Sequence, residues 1–164
     1  MPDVSALDVS AFPTRSRGHA FEDFEVGRVF EHHWGRTITE ADTVLFSTLT
    51  LSYNPLYFNV EHARRCGHPA IVVNPMLVFT TVLGLSVEDL SEAGGPFLGV
   101  DELAFHEPVH PGDTLSARSE VVAARPSESR PGTGIVTWRT EGRNQRDELV
   151  VDFRRSNLVF MRGG

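Results

Sequence analysis

Four long β-forming runs fill the second half of this chain, and the links between them are too short to hold anything but turns. Residues 98–105, 114–125, 134–144 and 148–161 are rich in β-branched and aromatic side chains. Only the Pro- and Gly-bearing stretches 108–112, 126–133 and 144–147 separate them. A parallel crossover needs at least ~10–12 residues. The runs therefore pair antiparallel, in a meander-like order. Residues 113–122 alternate polar and apolar as a half-exposed strand does.

One segment before these runs has a different character. Residues 76–85 are apolar nearly all round, with Thr80 and Thr81 as the main exceptions, which predicts a buried helix. Pro75 fits the first helical position and Asn74 the preceding cap. One hydrophobic helix and one antiparallel sheet give an α+β domain, most economically with the sheet wrapped around the helix. Upstream, residues 1–20 have no period and read as a flexible arm, which leaves 21–162 as the domain. Residues 29–38 read as one strand. Thr39, followed by Glu40 and Asp42, starts a short amphipathic helix with Val44, Leu45, Thr48 and Leu49 on one stripe. Pro55 ends any helix that reaches Asn54, and 61–65 make one further turn before Gly67.

The chain has 164 residues and a formal net charge of −7, a single domain by length. That charge argues against non-specific nucleic-acid binding. All 15 basic residues are arginines, so neither Schiff-base chemistry nor a P-loop lysine is available. The single cysteine, Cys66, excludes an internal disulfide and a multi-cysteine zinc site. It is expected to be a small buried residue or a bystander. The histidine spacings match no metal motif, and neither a metal nor another cofactor is expected. No apolar run approaches the ~20 residues that span a bilayer, and the N-terminus has no signal-peptide pattern. A cytoplasmic protein without membrane partners is the expectation.

The run Phe46-Ser47-Thr48-Leu49-Thr50-Leu51-Ser52-Tyr53-Asn54-Pro55-Leu56-Tyr57 resembles the hydratase signature of the MaoC-like family of (R)-specific enoyl-CoA hydratases and dehydratases. Val109-His110-Pro111-Gly112-Asp113-Thr114-Leu115 resembles that family's turn between later strands. Residues 129–136, Gly142-Arg143-Asn144-Gln145 and Phe153-Arg154-Arg155 resemble its mesaconyl-CoA hydratase-like branch. The likeness extends over about 20–162. It implies a single hot-dog fold, a substrate that is an acyl-CoA or carrier-bound thioester, CoA or pantetheine only as part of that substrate, and a homodimer or higher even oligomer. The family's catalytic Asp and His fall on Ser52 and Tyr57 here, while Asn54 and Pro55 are kept.

Hydrating an enoyl thioester needs a base for the water, a proton for the α-carbon and a donor for the thioester oxygen. Ser52, Asn54 and Tyr57 are the catalytic candidates by position. Ser52 has an ordinary turn role as its alternative, Asn54 a bracing role, and Tyr57 a packing role. At the helix start Pro75 has no N–H, so the Met76 or Leu77 N–H, or the Asn74 amide, is the candidate oxyanion donor. His106 is a candidate to reach the substrate. Arg130, Arg64 and Arg65 are candidates for the CoA phosphates. His32 and His33 point to opposite faces, so only one can face a site. The same resemblance leaves two rivals. One is a degenerate thioester-binding protein or partner subunit. The other is a hot-dog thioesterase, disfavoured because 76–85 contain no acid.

Overall fold

The computed structural model describes residues 18–163. Residues 1–17 of the expected arm lie outside the described residues. The described chain already packs at its start, where His19 Nδ1 donates to the Asp89 carbonyl at 2.8 Å.

Among the described residues are six strands and four α-helices: β1 Val29–Glu31, β2 Arg36–Thr37, α1 Glu40–Leu49, α2 Val60–Arg65, α3 Pro75–Leu85, α4 Val87–Leu90, β3 Phe97–Phe105, β4 Thr114–Pro126, β5 Thr133–Arg143 and β6 Leu149–Phe160. The strands order β1-β4-β5-β6-β3, and β2 pairs with the opening of β4. All pairings are antiparallel. The β4-β5-β6 unit is the expected meander. β3 departs from it by pairing with β6 at the far edge, so the chain crosses the end of the sheet between β3 and β4.

The expected single strand over 29–38 is two short strands. Val29–Glu31 lies against residues 118–120 of β4 and Arg36–Thr37 against Thr114 and Leu115. The interval bends around His32, whose imidazole turns into the core while His33 stays outside.

Thr39 caps α1 in a reciprocal box with Asp42, which satisfies two orphan donors at once. Hydrogen bonds from Thr39, and then Arg36, hold the Asp42 carboxyl below its usual range despite partial burial. α3 lies in the curl of the sheet. Its Val78 and Val82 pack with Ile38, Val73, Leu115, Val150, Val151 and Phe153. Gly142 permits this closeness, since a Cβ there would sit 2.5 Å from Val82 Cγ2. A second cluster joins Phe24, Phe30, Leu90, Val121, Val136, Trp138 and Val159.

α3 is not buried all round as its composition predicts. Met76, Thr80 and Gly84 form an exposed stripe at i, i+4, i+8. A sheet of this size curls around only one side of a helix, and among the described residues nothing covers this stripe. Cys66 is likewise exposed rather than buried. Among the described residues no helix is long and apolar enough to cross a membrane.

Candidate active site at the start of the central helix

Asn74 ties three segments together where α3 begins. Its Oδ1 accepts from Met76 N–H at 3.0 Å, and its Nδ2 donates to Ser52 Oγ at 3.1 Å. Its own N–H donates to Thr43 Oγ1 of α1 at 3.2 Å. The residue is 4% exposed. Ser52 is thereby fixed beside the helix start, where the family's carboxylate would stand.

The same contacts occupy the helix N-terminus. Met76 N–H goes to Asn74 Oδ1, Leu77 and Val78 N–H both go to the Asn74 carbonyl, and Pro75 has none. Met76 therefore presents no free N–H to a ligand. The second hydrogen on Asn74 Nδ2 and the Ser52 hydroxyl hydrogen are the polar donors left at this junction.

Asn54 braces the loop. Its Oδ1 accepts from Leu56 N–H at 3.0 Å and caps the 3-10 turn Pro55–Tyr57. Leu56 O then accepts from Val72 N–H at 2.9 Å and anchors the loop to the segment entering α3. Tyr57 sits half-buried at the end of that turn.

A cavity of about 330 Å³ opens against the first turns of α3. Val72, Val73, Pro75, Val78, Val109 and Val150 form its apolar walls, and His68, His106 and Glu107 bring polarity. Of the predicted site residues only His106 lines it; Ser52, Asn54, Tyr57, Asn74, Met76 and Arg130 do not.

His106 lies at the rim with its imidazole committed elsewhere. Its Nε2 lies 2.7 Å from Asp152 Oδ1. Val151 and Phe153 face the helix, so Asp152 between them faces the opposite surface of β6. Burial pushes the Asp152 carboxyl up, but hydrogen bonds from His106 and Arg139 outweigh it and hold it below its usual range. Arg130 lies in the β4–β5 turn, beyond the far end of β5 from the cavity. Those eleven strand residues put it roughly 35 Å from the helix start at ~3.3 Å per residue. Arg64 is engaged by Glu61 at 3.0 Å, and Arg65 is exposed on α2.

His68 and His110 are the polar residues that sequence reasoning did not single out. Their ring centroids are 5.6 Å apart, and His110 Nε2 is buried with no hydrogen-bond partner. Burial holds the His110 imidazole below its usual pKa, and His68 and Arg146 add to this against Asp113. The backbone below is rigid. Asp113 Oδ2 accepts from His110 N–H at 2.9 Å, and its Oδ1 accepts from Gln145 at 2.7 Å and Arg146 at 3.1 Å. Burial pushes the Asp113 carboxyl up, yet these bonds hold it low. His110 stands inside the turn motif quoted above. Nothing in the sequence brings it to His68, 42 residues away by subtraction of their numbers. Among the described residues no group of three or more His, Cys, Asp or Glu side chains is placed to hold a metal ion.

The profile of the family described as mesaconyl-CoA hydratase matches residues 3–164. A mesaconyl-CoA hydratase of Haloarcula marismortui is 42% identical over 147 residues, covering 89% of this chain and 41% of that protein. The chain thus spans about two-fifths of the length of the mesaconyl-CoA hydratases it matches. Among solved structures, a MaoC-like dehydratase from Rhodospirillum rubrum is similar with a TM-score of 0.79 at 27% identity, covering 90% of this chain and 100% of that one. A Mycobacterium tuberculosis protein described as a double hot-dog fold has a TM-score of 0.71 at 27% identity, over 89% of this chain and 45% of that one. The antiparallel sheet around α3 is the hot-dog fold of these neighbours. With the profile spanning nearly every residue and the fold agreeing, the chain belongs to the mesaconyl-CoA hydratase family.

Proposed function

We propose that this chain is a hydratase/dehydratase domain that adds or removes water across the α,β-bond of an acyl-CoA thioester. The branched dicarboxyl thioesters named by its relatives, such as mesaconyl-CoA, are the leading substrate class. The observation that carries this reading is the apolar cavity at the first turn of α3, in a chain of this family. The cavity is large enough for a short acyl group. The start of α3, whose Pro75 lines the cavity, brings the positive end of the helix dipole to the thioester oxygen as it gains enolate charge. No metal or redox cofactor enters the reading.

A second reading is favoured by one specific contact. Ser52 replaces the carboxylate of the family signature and is spent on Asn74 Nδ2. A domain that keeps the cavity and lacks that acid would bind thioester as a partner subunit. A second copy is the proposed partner in either case, because edge strand β3 exposes Phe97, Leu98 and Phe105 and an unpaired apolar edge invites another strand.

The test uses purified protein, mesaconyl-CoA and a simple trans-2-enoyl-CoA, following loss of the enoyl-thioester absorbance and, separately, binding. Hydration by the protein alone supports the first reading. Binding without hydration supports the second. Neither binding nor hydration refutes both.

A further inference from the structure

We propose that His68 is the catalytic acid–base residue of this domain and that His110 positions it, a role displaced from the Ser52 and Tyr57 positions onto a wall of the α3 cavity. The inference rests on the hydratase reading above. It starts from a mismatch. The cavity against the first turns of α3 is lined by neither Ser52 nor Tyr57. The Ser52 hydroxyl accepts from Asn74, and a free tyrosine hydroxyl ionises near pH ~10. Neither is a base at neutral pH. His106 lines the rim but has its Nε2 turned to Asp152.

His68 lines the cavity, and among the described residues its ring pairs with no carboxylate or carbonyl. His110 stands behind it at 5.6 Å between centroids. The backbone of His110 is clamped by Asp113, which Gln145 and Arg146 hold from the β5–β6 turn. His110 Nε2 is buried without a partner. A buried imidazole nitrogen without a bond is costly unless it serves something nearby, and the His68 ring is its aromatic neighbour. Burial keeps the His110 ring neutral near pH 7, and two imidazoles this close resist being charged together. The other charged groups facing the pair are Asp113 and Arg146 beneath His110 and Glu107 across the cavity.

One group suffices for the chemistry. The His68 imidazole takes a proton from water as the water oxygen bonds to the β-carbon. The C=C electron pair moves to the α-carbon and the thioester oxygen. The imidazolium then returns that proton to the α-carbon. One water is consumed and His68 ends as it began. Dehydration is the reverse.

The experiment compares wild type, His68→Gln, His110→Gln and Glu107→Gln for hydration across pH 5–9 (a range chosen to span a ~6.5 imidazole pKa). Thioester binding is measured with butyryl-CoA, which cannot be hydrated. His68→Gln is expected to lower kcat by ~10²-fold or more and leave butyryl-CoA binding in place. His110→Gln is expected to move the acid limb of the kcat profile, a change that loss of packing alone does not produce. Imidazole NMR signals of His68 and His110 are expected to shift when butyryl-CoA binds. Full activity in His68→Gln, or loss in Glu107→Gln alone, overturns the assignment while leaving the hydratase reading intact. Bound butyryl-CoA with unmoved histidine signals also overturns it. Absence of hydration and binding in wild type refutes the hydratase reading and this inference together.

Discussion

His32 Nδ1 lies 2.6 Å from the Asp89 carboxylate, so a buried imidazole on the bend between β1 and β2 holds α4 against the sheet. On the other side, His32 Nε2 is 2.9 Å from Ser119 Oγ, which is 2.8 Å from Thr140 Oγ1. With His32 neutral, every proton in this chain has an acceptor. Nδ1–H donates to Asp89, Ser119 donates to Nε2, and Thr140 donates to Ser119. A second proton on His32 reverses the chain, with Nε2–H donating to Ser119 Oγ and Ser119 donating to Thr140 Oγ1. Ser119 is 1% exposed, so the Asp-His-Ser series is closed to substrate and acts in folding.

That arrangement makes stability pH-dependent with a definite sign. Burial lowers the His32 pKa below its ordinary value of 6.5, against the raising influence of Asp89. The unfolded chain then binds the proton more readily than the folded one. Stability is complete above pH ~6.5 and is lost as pH falls toward the folded-state value. His110 is depressed in the same direction and adds to the slope. Urea titrations between pH 7.5 and 5 are expected to show falling stability. The slope is expected to shrink in His32→Gln and again when His110→Gln is added. A flat profile would show that neither imidazole is buried as described.

Arg155 gives a prediction of the opposite kind. It is 2% exposed, lies over the Trp138 ring at 5.3 Å, and leaves Nε and Nη2 without partners. Burial lowers its pKa to about 10. Replacing even a buried ion pair by well-packed apolar residues is often neutral or stabilising, by about 1–4 kcal/mol, and a buried charge without such a pair bears the desolvation cost with no ionic gain. Arg155→Met is expected to raise the thermal midpoint. A fall of several degrees would reveal an ionic partner for Arg155 in solution.

The fold was legible because its signals are local and repeated. The apolar run 76–85, the Asn74–Pro75 cap and the turn residues between strands each point to one structure. The position of β3 was not legible, since strands joined by short links can still exchange neighbours across a sheet. The exposed face of α3 escaped notice because composition says what a helix would bury, not how much cover one sheet supplies. At the site, Asn54 as a brace follows from an Asn-Pro turn. The His68–His110 approach does not, because it joins the end of the α2 turn to the β3–β4 connection through the tertiary fold alone. Met76 was misleading as a donor. The asparagine that makes the helix start recognisable is also the group that occupies its N–H.

Asn74 should be costly to remove for that reason. Asn74→Ala removes the α3 cap and the donor to Ser52, and it leaves buried polar groups unpaired. Loss of an N-cap costs about 0.5–2 kcal/mol. The additional loss of the Ser52 bond should place Asn74→Ala at the upper end of that range. Asn74→Asp keeps the cap but cannot donate to Ser52, and should fall between wild type and alanine in chemical denaturation. Equal stability of all three would mean that the cap does not form.

Gly142 offers a packing test. A methyl group there meets Val82 and Val151 at 2.5 and 2.8 Å. Overpacking of this kind costs about 1–3 kcal/mol, and Gly142→Ala should be destabilised accordingly. Adding Val82→Ala to Gly142→Ala should recover part of the loss, because it removes the obstructing atoms. A double variant no more stable than the sum of the singles would place the strain elsewhere.

The last prediction returns to the signature loop. Ser52→Asp places a carboxylate where Asn74 Nδ2 already donates, so the new group is held beside the start of α3 rather than left free to turn out. Tyr57→His supplies an imidazole at the end of the Pro55–Tyr57 turn. Together they restore the residue types of the family signature in a loop whose backbone is already braced by Asn54. General acid–base groups contribute ~10²–10⁴-fold in rate, so the double variant should hydrate a trans-2-enoyl-CoA well above wild type. Neither single change should match it, because such a pair acts as a unit. The gain should persist in a His68→Gln background, since the loop then provides a proton route independent of the cavity histidine. Rates are to be measured on all variants with binding determined separately. A double variant that binds the thioester as wild type does, yet reacts no faster, would show that the loop does not reach the reacting carbons in this chain.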